Sequence, residues 1–326
     1  MKQIKWLVGF MLLLGAALAV WLTPSEDASN LTVMGAKVTP ESACLEFTPI
    51  PTNASIRSEH EVERYFRPSK LPVLNDRVPS SFFDAYYNKK IDEIELPSSL
   101  MDTPDNTILN YFSILREAEN LCETTGGCGT VGNAKLPYPV AYHFLTEAYR
   151  DRLPFKAYVQ SFQEIAHINL IKLKPVPADP DRPKEQRYFI ELETIEGSSK
   201  PLTPFAYYYG YVYIQKIGDR YEISDVELHG EDFLCAAYHG WSHMAEAVVD
   251  IEYGNWCKLV KKREPTLQEG YVKQIDFSGT DGKEYRFIFV QLTNDTDVLV
   301  AQYRQDPQGK WQLVHIDPRK CLKEDQ

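Results

Sequence analysis

Residues 207–228 have the sequence YYYGYVYIQKIGDRYEISDVEL, and this stretch decides the predicted fold. Aromatic and β-branched residues dominate both halves of it, as is typical of β-strands. Gly218 and Asp219 separate the two halves and are residue types that favour a tight hairpin turn. We therefore expect a strand from Tyr207 to Ile217 to fold back onto a partner strand from Tyr221 to Leu228.

Two more strands are predicted before this hairpin. One runs from His167 to Lys174 and is rich in Ile and Leu, and the other runs from Arg187 to Glu196 and alternates in side-chain character. A proline-rich, acidic loop from Pro175 to Pro183 separates them. Four consecutive strands of this kind predict an antiparallel sheet.

Three amphipathic helices are predicted upstream of the sheet. The first begins near Asn106, with Asp105 or Asn106 as its cap, because apolar residues recur at helical spacing after that point. The second runs from about Pro139 to Arg152. Pro154 ends this helix and can open the third.

The last part of the chain, residues 231–326, repeats the order of a helix followed by strands. A helical stretch from about Phe233 to Leu259 precedes four strand signals. These signals are Tyr271–Phe277, Glu284–Leu292, Asp297–Tyr303 and Lys310–Ile316. The sequence therefore predicts an α+β protein: helices on a curved antiparallel sheet, then a smaller C-terminal helix-plus-antiparallel-sheet domain.

Three helix motifs carry a resemblance to a known family: Asn110–Leu115 (NYFSIL), Leu145–Arg150 (LTEAYR) and Phe155–Phe162 (FKAYVQSF). Together with the sheet they resemble the nuclear transport factor two-like superfamily, especially its exported bacterial members, over roughly residues 105–230. The resemblance implies a sheet rolled around helices to leave a conical cavity. Such cavities hold small ligands in some members and become packed core or partner surfaces in others, so the fold does not decide the function.

The N-terminal residues 1–22 differ from the rest of the chain, because Lys2 and Lys5 precede an almost unbroken apolar run from Trp6 to Leu22. This layout predicts a secretory signal peptide or, since the run is just long enough to span a bilayer, an uncleaved membrane anchor. A buried N-terminal helix is the third alternative. Residues 23–104 contain many prolines and predict a tether followed by an extended segment. The body is expected outside the cytoplasm, secreted or tethered, and in contact with the membrane only through this N-terminal segment.

Six cysteines follow this segment, and an even number outside the cytoplasm permits disulfides. They are Cys44, Cys122, Cys128, Cys235, Cys257 and Cys321. Cys122 and Cys128 flank a short loop that contains two glycines, which predicts a local disulfide between them. A metal-binding knuckle is the alternative, although five intervening residues are an unusual zinc spacing. Sequence alone does not choose among the pairings of the other four.

The charge of the chain excludes some partners. Its 326 residues include 35 Lys and Arg against 46 Asp and Glu, so the net charge is −11. Removal of residues 1–22 would delete two lysines and give 33 − 46 = −13. Nucleic-acid binding needs clustered Lys and Arg, so no nucleic-acid partner is expected. The sequence contains no glycine-rich phosphate-binding or dinucleotide-binding loop, and no cofactor is predicted.

The candidate pocket residues are aromatic. Alternation sends four tyrosines of one strand to one face of the sheet: Tyr207, Tyr209, Tyr211 and Tyr213. They could form an aromatic platform for a ligand, or they could pack as an ordinary sheet face. Tyr142 and His143 on the second helix are further candidates, because a histidine beside a tyrosine can transfer protons. A structural role is the alternative for His143.

A metal site is a separate hypothesis. His239 and His243 are four residues apart, and Glu246 follows three residues later. On a helix, these three side chains would share one face and could bind zinc. The zinc-protease pattern needs Glu directly after the first His, and Gly240 occupies that place here.

These features favour a non-enzymatic, extracytoplasmic binding or scaffolding protein of the bacterial cell envelope. It would use the conical pocket or a sheet face to bind an envelope protein or a small-molecule ligand. The first alternative is a small-pocket enzyme of the isomerase or dehydratase type. The second alternative is a zinc-dependent hydrolase.

Overall fold

The computed structural model of the chain describes residues 31–38, 71–121, 133–197, 205–231 and 240–322. These residues form two mainly antiparallel sheets of six strands each, together with short helices. The predicted α+β class is confirmed. Residues 1–22 lie outside the described ranges, and no helix within those ranges is long and apolar enough to cross a membrane.

Four helices precede the main strands of the first sheet: α1 (Pro104–Arg116), α2 (Pro137–Tyr142), α3 (Glu147–Arg152) and α4 (Phe155–Gln160). The cap of α1 is Thr103, whose side-chain oxygen accepts a hydrogen bond from the Asn106 amide at 3.2 Å. The predicted cap at Asp105 or Asn106 is wrong. Pro104 already occupies the first helical position, where its missing N–H leaves no hydrogen bond unmade.

The predicted second helix, Pro139–Arg152, is two helices in the structure. Leu145 leaves the helical path and forms a parallel β-bridge with Ile223. Thr146 donates its amide to the Ile223 carbonyl at 2.9 Å, and its side chain caps α3. Pairing with the sheet therefore outweighs the helical spacing of the apolar residues here.

The strands of the first sheet are β1 (Leu31–Val33), β2 (Ala36–Val38), β3 (Ile165–Val176), β4 (Gln186–Glu196), β5 (Phe205–Ile217) and β6 (Arg220–Gly230). Their order across the sheet is β1-β2-β6-β5-β4-β3. Strands β3 to β6 form the predicted antiparallel meander. The β5–β6 hairpin turns at Gly218, whose φ of +59° suits glycine. Strand β2 instead pairs in parallel with β6, with Lys37 opposite Glu227.

Residues 71–103, within the predicted extended segment, pack against this sheet and its helices. They form three short 3₁₀ helices: Ser80–Ala85, Ile91–Glu93 and Ser98–Leu100. Phe83 and Met101 are buried in the core. The fully buried Asn75 side chain donates to the carbonyls of Phe112 and Ile168, and accepts from the Leu170 amide, each at 2.9 Å. One amide group therefore joins this segment to α1 and β3.

The strands of the second sheet are β7 (Val260–Arg263), β8 (Leu267–Glu269), β9 (Val272–Gly279), β10 (Glu284–Gln291), β11 (Asp297–Gln305) and β12 (Trp311–Leu313). Their order is β12-β11-β10-β9-β7, and β8 also pairs with β9. Its helices are a 3₁₀ turn (Trp241–His243), α5 (Ala245–Val248), a π-helix (Val249–Trp256) and α6 (Pro318–Cys321). A disulfide between Cys257 and Cys321 joins the end of the π-helix to α6.

The helices and the two sheets form successive layers, and each sheet has both of its faces partly buried. One face of the first sheet packs on α1–α4 through residues such as Ile190 and Val212. The opposite face, here called the outer face, packs on the second sheet through Phe189 against Val290 and Val300. The second sheet covers its remaining face with α5 and the π-helix.

Candidate binding cleft between the two sheets

The four candidate tyrosines of β5 point to the outer face, away from the helices. Tyr209 and Tyr211 pack with Phe189 and the second sheet, whereas Tyr208 and Val212 join the helix-side core. This is the alternation expected from the sequence. The structure therefore separates the tyrosine row from Tyr142 and His143, which lie at the helices.

Each tyrosine of the row has a defined partner on the outer face. The Tyr207 hydroxyl donates to Glu193 at 2.8 Å, and the Tyr213 hydroxyl donates to Glu227 at 3.0 Å. The Tyr209 ring stacks on the His229 ring with their centroids 5.2 Å apart. Two arginines stack on rings of this row: the guanidinium of Arg187 lies 4.6 Å from the Tyr211 ring centroid, and that of Arg182 lies 4.3 Å from the Tyr213 ring centroid. Such cation–π stacks hold the strand and its neighbours in one geometry.

A buried ion pair lies on the outer face, between β4 and the edge strand β3. Lys172 on β3 is opposite Glu191 on β4, and their Nζ and Oε2 atoms are 2.6 Å apart. The two side chains are only 2% and 0% exposed. Charges so far from water need further polar partners, because the free-energy cost of desolvating them otherwise exceeds the attraction between the two charges.

The second sheet supplies those partners. Lys172 Nζ also donates to the Gln291 carbonyl at 2.6 Å. Glu191 Oε1 accepts from the Thr293 amide at 2.9 Å and from its hydroxyl at 2.6 Å. The ion pair of the first sheet is thus completed by the β10–β11 connection, so it fixes how the two sheets meet.

The contact between the two sheets around this ion pair is here called the joint. A cleft of about 620 Å³ also lies between the two sheets. Its first wall is the proline-rich loop, residues 177–181, and its second wall is formed by residues 299–302 of β11 and residues 313–315. Arg187 and Tyr211 of the outer face also line it. A volume of this size is typical of ligand-binding clefts.

Arg187 ties the loop to the sheet. Its Nε donates to the Pro177 carbonyl at 3.0 Å, and its Nη1 lies 4.0 Å from Asp179 Oδ2. Asp179 in turn accepts the Asp181 amide at 2.9 Å, which closes a turn of the loop. Asp181 itself is exposed, so the mouth of the cleft presents a carboxylate to solvent.

Tyr142 and His143 both bond to main-chain carbonyls. The Tyr142 hydroxyl lies 2.9 Å from Leu153 O, and His143 Nε2 lies 2.7 Å from Ile91 O. Burial lowers the pKa of His143, which favours its neutral form. These contacts join α2 to α3 and to the 71–103 segment.

The predicted zinc ligands do not share one helix. His239 lies outside the described residues, and Met244 is extended between His243 and the start of α5. His243 Nδ1 is 3.1 Å from the Thr296 hydroxyl, whereas Glu246 accepts from the Thr266 hydroxyl at 2.7 Å. Within the described ranges, no group of three or more His, Cys, Asp or Glu side chains is placed to hold a metal ion.

The predicted Cys122–Cys128 disulfide lies outside the described residues. The observed disulfide, Cys257–Cys321, joins two of the cysteines that the sequence left unassigned. Its sequence separation is 64 residues, so no local pattern could identify it.

Sequence reasoning also missed the buried ion pair. A faint signal was present, because Lys172 and Glu191 each stand within an apolar part of a predicted strand. A charged residue at such a position is rarely buried unless it is paired. The signal does not say which strands face each other, and therefore could not pair the two residues.

Comparisons with family models, curated proteins and solved structures find no match for this chain.

Proposed function

We propose that this chain is a non-enzymatic, extracytoplasmic binding or scaffolding protein of the cell envelope, and that it binds its partner in the cleft between the sheets. One observation carries the proposal: a cleft of about 620 Å³ lies on the outer face of the first sheet, between this sheet and the second. The space between the helices and the first sheet is filled by buried rings, among them Tyr111, Phe144 and Phe162.

A nuclear transport factor two-like fold for the first sheet and its helices is part of this proposal. Four helices followed by an antiparallel meander support it, as do the register shifts that bend β3 and β5. Under this proposal, buried side chains fill the space that the conical cavity occupies in the family. Binding has moved to the opposite face, where the second sheet completes the site.

One observation supports the proposed compartment, and a second supports a non-enzymatic function. Disulfides persist mainly in oxidising compartments, and Cys257–Cys321 is one, which agrees with an export signal in residues 1–22. Tyr142 and His143 bond to main-chain carbonyls, which supports a structural role for both.

The test combines location with partner capture. The full chain is expressed in a bacterial host with alkaline phosphatase fused after Gln326, and the phosphatase should be active because it folds only outside the cytoplasm. A photo-crosslinking amino acid is then placed at Leu313, which lines the cleft and is 45% exposed. The matched control is Tyr87, which is 74% exposed and lies outside the cleft lining.

We expect a discrete adduct from position 313, and little or none from position 87. Adducts of equal yield at both positions, or none at position 313, would contradict binding in the cleft. An inactive phosphatase fusion would contradict the proposed compartment.

A further inference from the structure

The second wall of the cleft is the edge of a strand. Residues 299–302 of β11 all line it, although successive side chains of a strand point to opposite faces. Leu299 packs with the cluster on the helix side of the second sheet, whereas the next residue, Val300, packs towards the first sheet. A cleft that touches both faces of one strand must run along its main chain.

This edge is open over part of its length. Strand β12 pairs only with Tyr303, Arg304 and Gln305 of β11, and one further bond joins Val314 N to Gln302 O. Among the described strands, residues 297–301 pair only with β10. Five strand residues extend over roughly 17 Å, enough to pair with a short extended peptide.

Native proteins usually block an open edge by covering it, by twisting it away with a bulge or by placing charges on it. A register shift does occur in the pairing of β10 with residues 299–301. The nearest cover, the loop at residues 177–181, stands across a cleft of about 620 Å³ instead of packing on the edge. The space between loop and edge is therefore suited to an inserted strand.

The charges around the space favour a basic occupant. Asp179 and Asp181 stand on the loop wall, and Asp181 is exposed. The one arginine of the lining, Arg187, is stacked on Tyr211, bonded to the Pro177 carbonyl and 4.0 Å from Asp179, so the exposed Asp181 is the carboxylate that a partner can reach. The whole chain is acidic as well, with a net charge of −11. Complementary charge attracts a partner and fixes its register.

We propose that the cleft binds an extended, basic peptide segment of a partner protein, which adds to the edge of β11 as an extra strand and places a Lys or Arg against Asp181. This inference rests on the proposed binding function and names its partner class. Main-chain hydrogen bonds would supply the affinity, and the Asp181 carboxylate would supply the preference for basic segments.

The test uses the full chain, purified from the envelope fraction of the host that expresses it. A random twelve-residue peptide library displayed on phage is selected on this chain. The selected peptides are synthesised, and their affinities are measured by fluorescence anisotropy. Hydrogen–deuterium exchange is followed over β11, with and without peptide.

We expect the selected peptides to be basic, to lack proline in their centre and to slow exchange over residues 297–302. Methylation of two central peptide amides should weaken binding at least tenfold, because it removes main-chain donors. Asp181→Lys should weaken binding about threefold to tenfold. The matched control Asp219→Lys, in the β5–β6 turn, should leave binding unchanged.

Three outcomes would overturn the proposal. Peptides that bind without slowing exchange over β11 would refute strand addition but leave the cleft as a binding site. Peptides that add to the edge but are neutral or acidic would refute the charge preference. If no peptide is enriched over background, strand addition of a basic segment is wrong, and photo-crosslinking at Leu313 still decides the proposed function separately.

Discussion

Both faces of the first sheet are packed against other elements, but they bury different kinds of side chain. The helix face buries neutral rings: the Tyr111 and Tyr158 hydroxyls bond to each other at 3.1 Å, and the Tyr149 hydroxyl donates to the Gly35 carbonyl at 2.6 Å. The outer face instead buries the charged pair Lys172–Glu191.

The two kinds of packing differ in how precisely they fix the position of the neighbouring element. Apolar packing tolerates small shifts, because dispersion contacts are many and weakly directional. A buried ion pair is satisfied only when every partner is in place, so it can fix one arrangement of two sheets. The helix face therefore acts as a sealed core, and the outer face acts as a joint with an adjacent cleft.

The largest effect is expected from breaking the joint. Lys172→Met leaves the Glu191 carboxylate buried without its cation, which should lower the free energy of unfolding by about 3–5 kcal/mol. The double variant Lys172→Met/Glu191→Leu removes both charges and should recover most of that loss. Urea unfolding, followed by far-ultraviolet circular dichroism, measures both.

Tryptophan fluorescence adds a test of coupling between the sheets. Every tryptophan after residue 22 lies in the part of the chain that forms the second sheet and its helices: Trp241, Trp256 and Trp311. We expect the fluorescence and dichroism transitions to coincide in the parent chain and to separate in Lys172→Met. The control is Lys262→Met, whose pair with Glu264 is largely exposed and should not matter. A Lys172→Met variant as stable as this control would disprove the proposed joint.

The next effect compares one substitution on the two faces. Tyr158→Phe leaves the fully buried Tyr111 hydroxyl without its partner at 3.1 Å, and should cost about 1–3 kcal/mol. Tyr213→Phe removes a bond to Glu227, whose side chain is 37% exposed, so water can replace it and the loss should be about 0.5–1 kcal/mol. Equal losses in urea unfolding would show that the two faces do not differ in this way.

A smaller effect is expected where Arg187 holds the loop of the cleft. Arg187→Gln removes the stack on Tyr211 and the bond to Pro177, and should cost about 1 kcal/mol. The freed loop should then be cut faster by trypsin after Lys184, since Arg182 is protected by Pro183. Arg220→Gln, at the exposed β5–β6 turn, is the control and should leave cleavage after Lys184 at the parent rate.

The smallest effect concerns acid stability on the helix face. Burial lowers the pKa of His143 from 6.5, so the unfolded chain binds a proton at a higher pH than the folded chain does. The resulting contribution to stability is complete above pH 6.5 and is lost as the pH falls through the folded pKa. His143→Gln should therefore flatten the acid side of the stability–pH curve. The exposed His315→Gln is the control, and equal curves for the two variants would contradict the assignment.

The sequence predicted the strands well where alternation and turn residues agree. The β5–β6 hairpin, with its turn at Gly218, is observed, and so is the separation of Tyr209 and Tyr211 from Tyr208 and Val212. Both follow from a period of two along a strand, which is a local property. The helix across Leu145 was mispredicted because its bridge to Ile223 joins residues that are 78 positions apart.

The candidate site was predicted only in part. Tyr211 was named from the sequence and lines the cleft, whereas Arg187, Asp179 and the β11 edge were not identified. No local pattern brings the 177–181 loop against β11, because the two are more than a hundred residues apart.

The sequence by itself determined the α+β class, the antiparallel meander, the acidic charge and which tyrosines share a face. These depend on neighbours within a few residues, where side-chain period and turn chemistry act. Only the tertiary structure decided that Cys257 meets Cys321, that Lys172 and Glu191 are completed by Thr293, and that the tyrosine face meets a second sheet. Each of these depends on contacts between distant segments, whose free energy appears only when both sheets have folded.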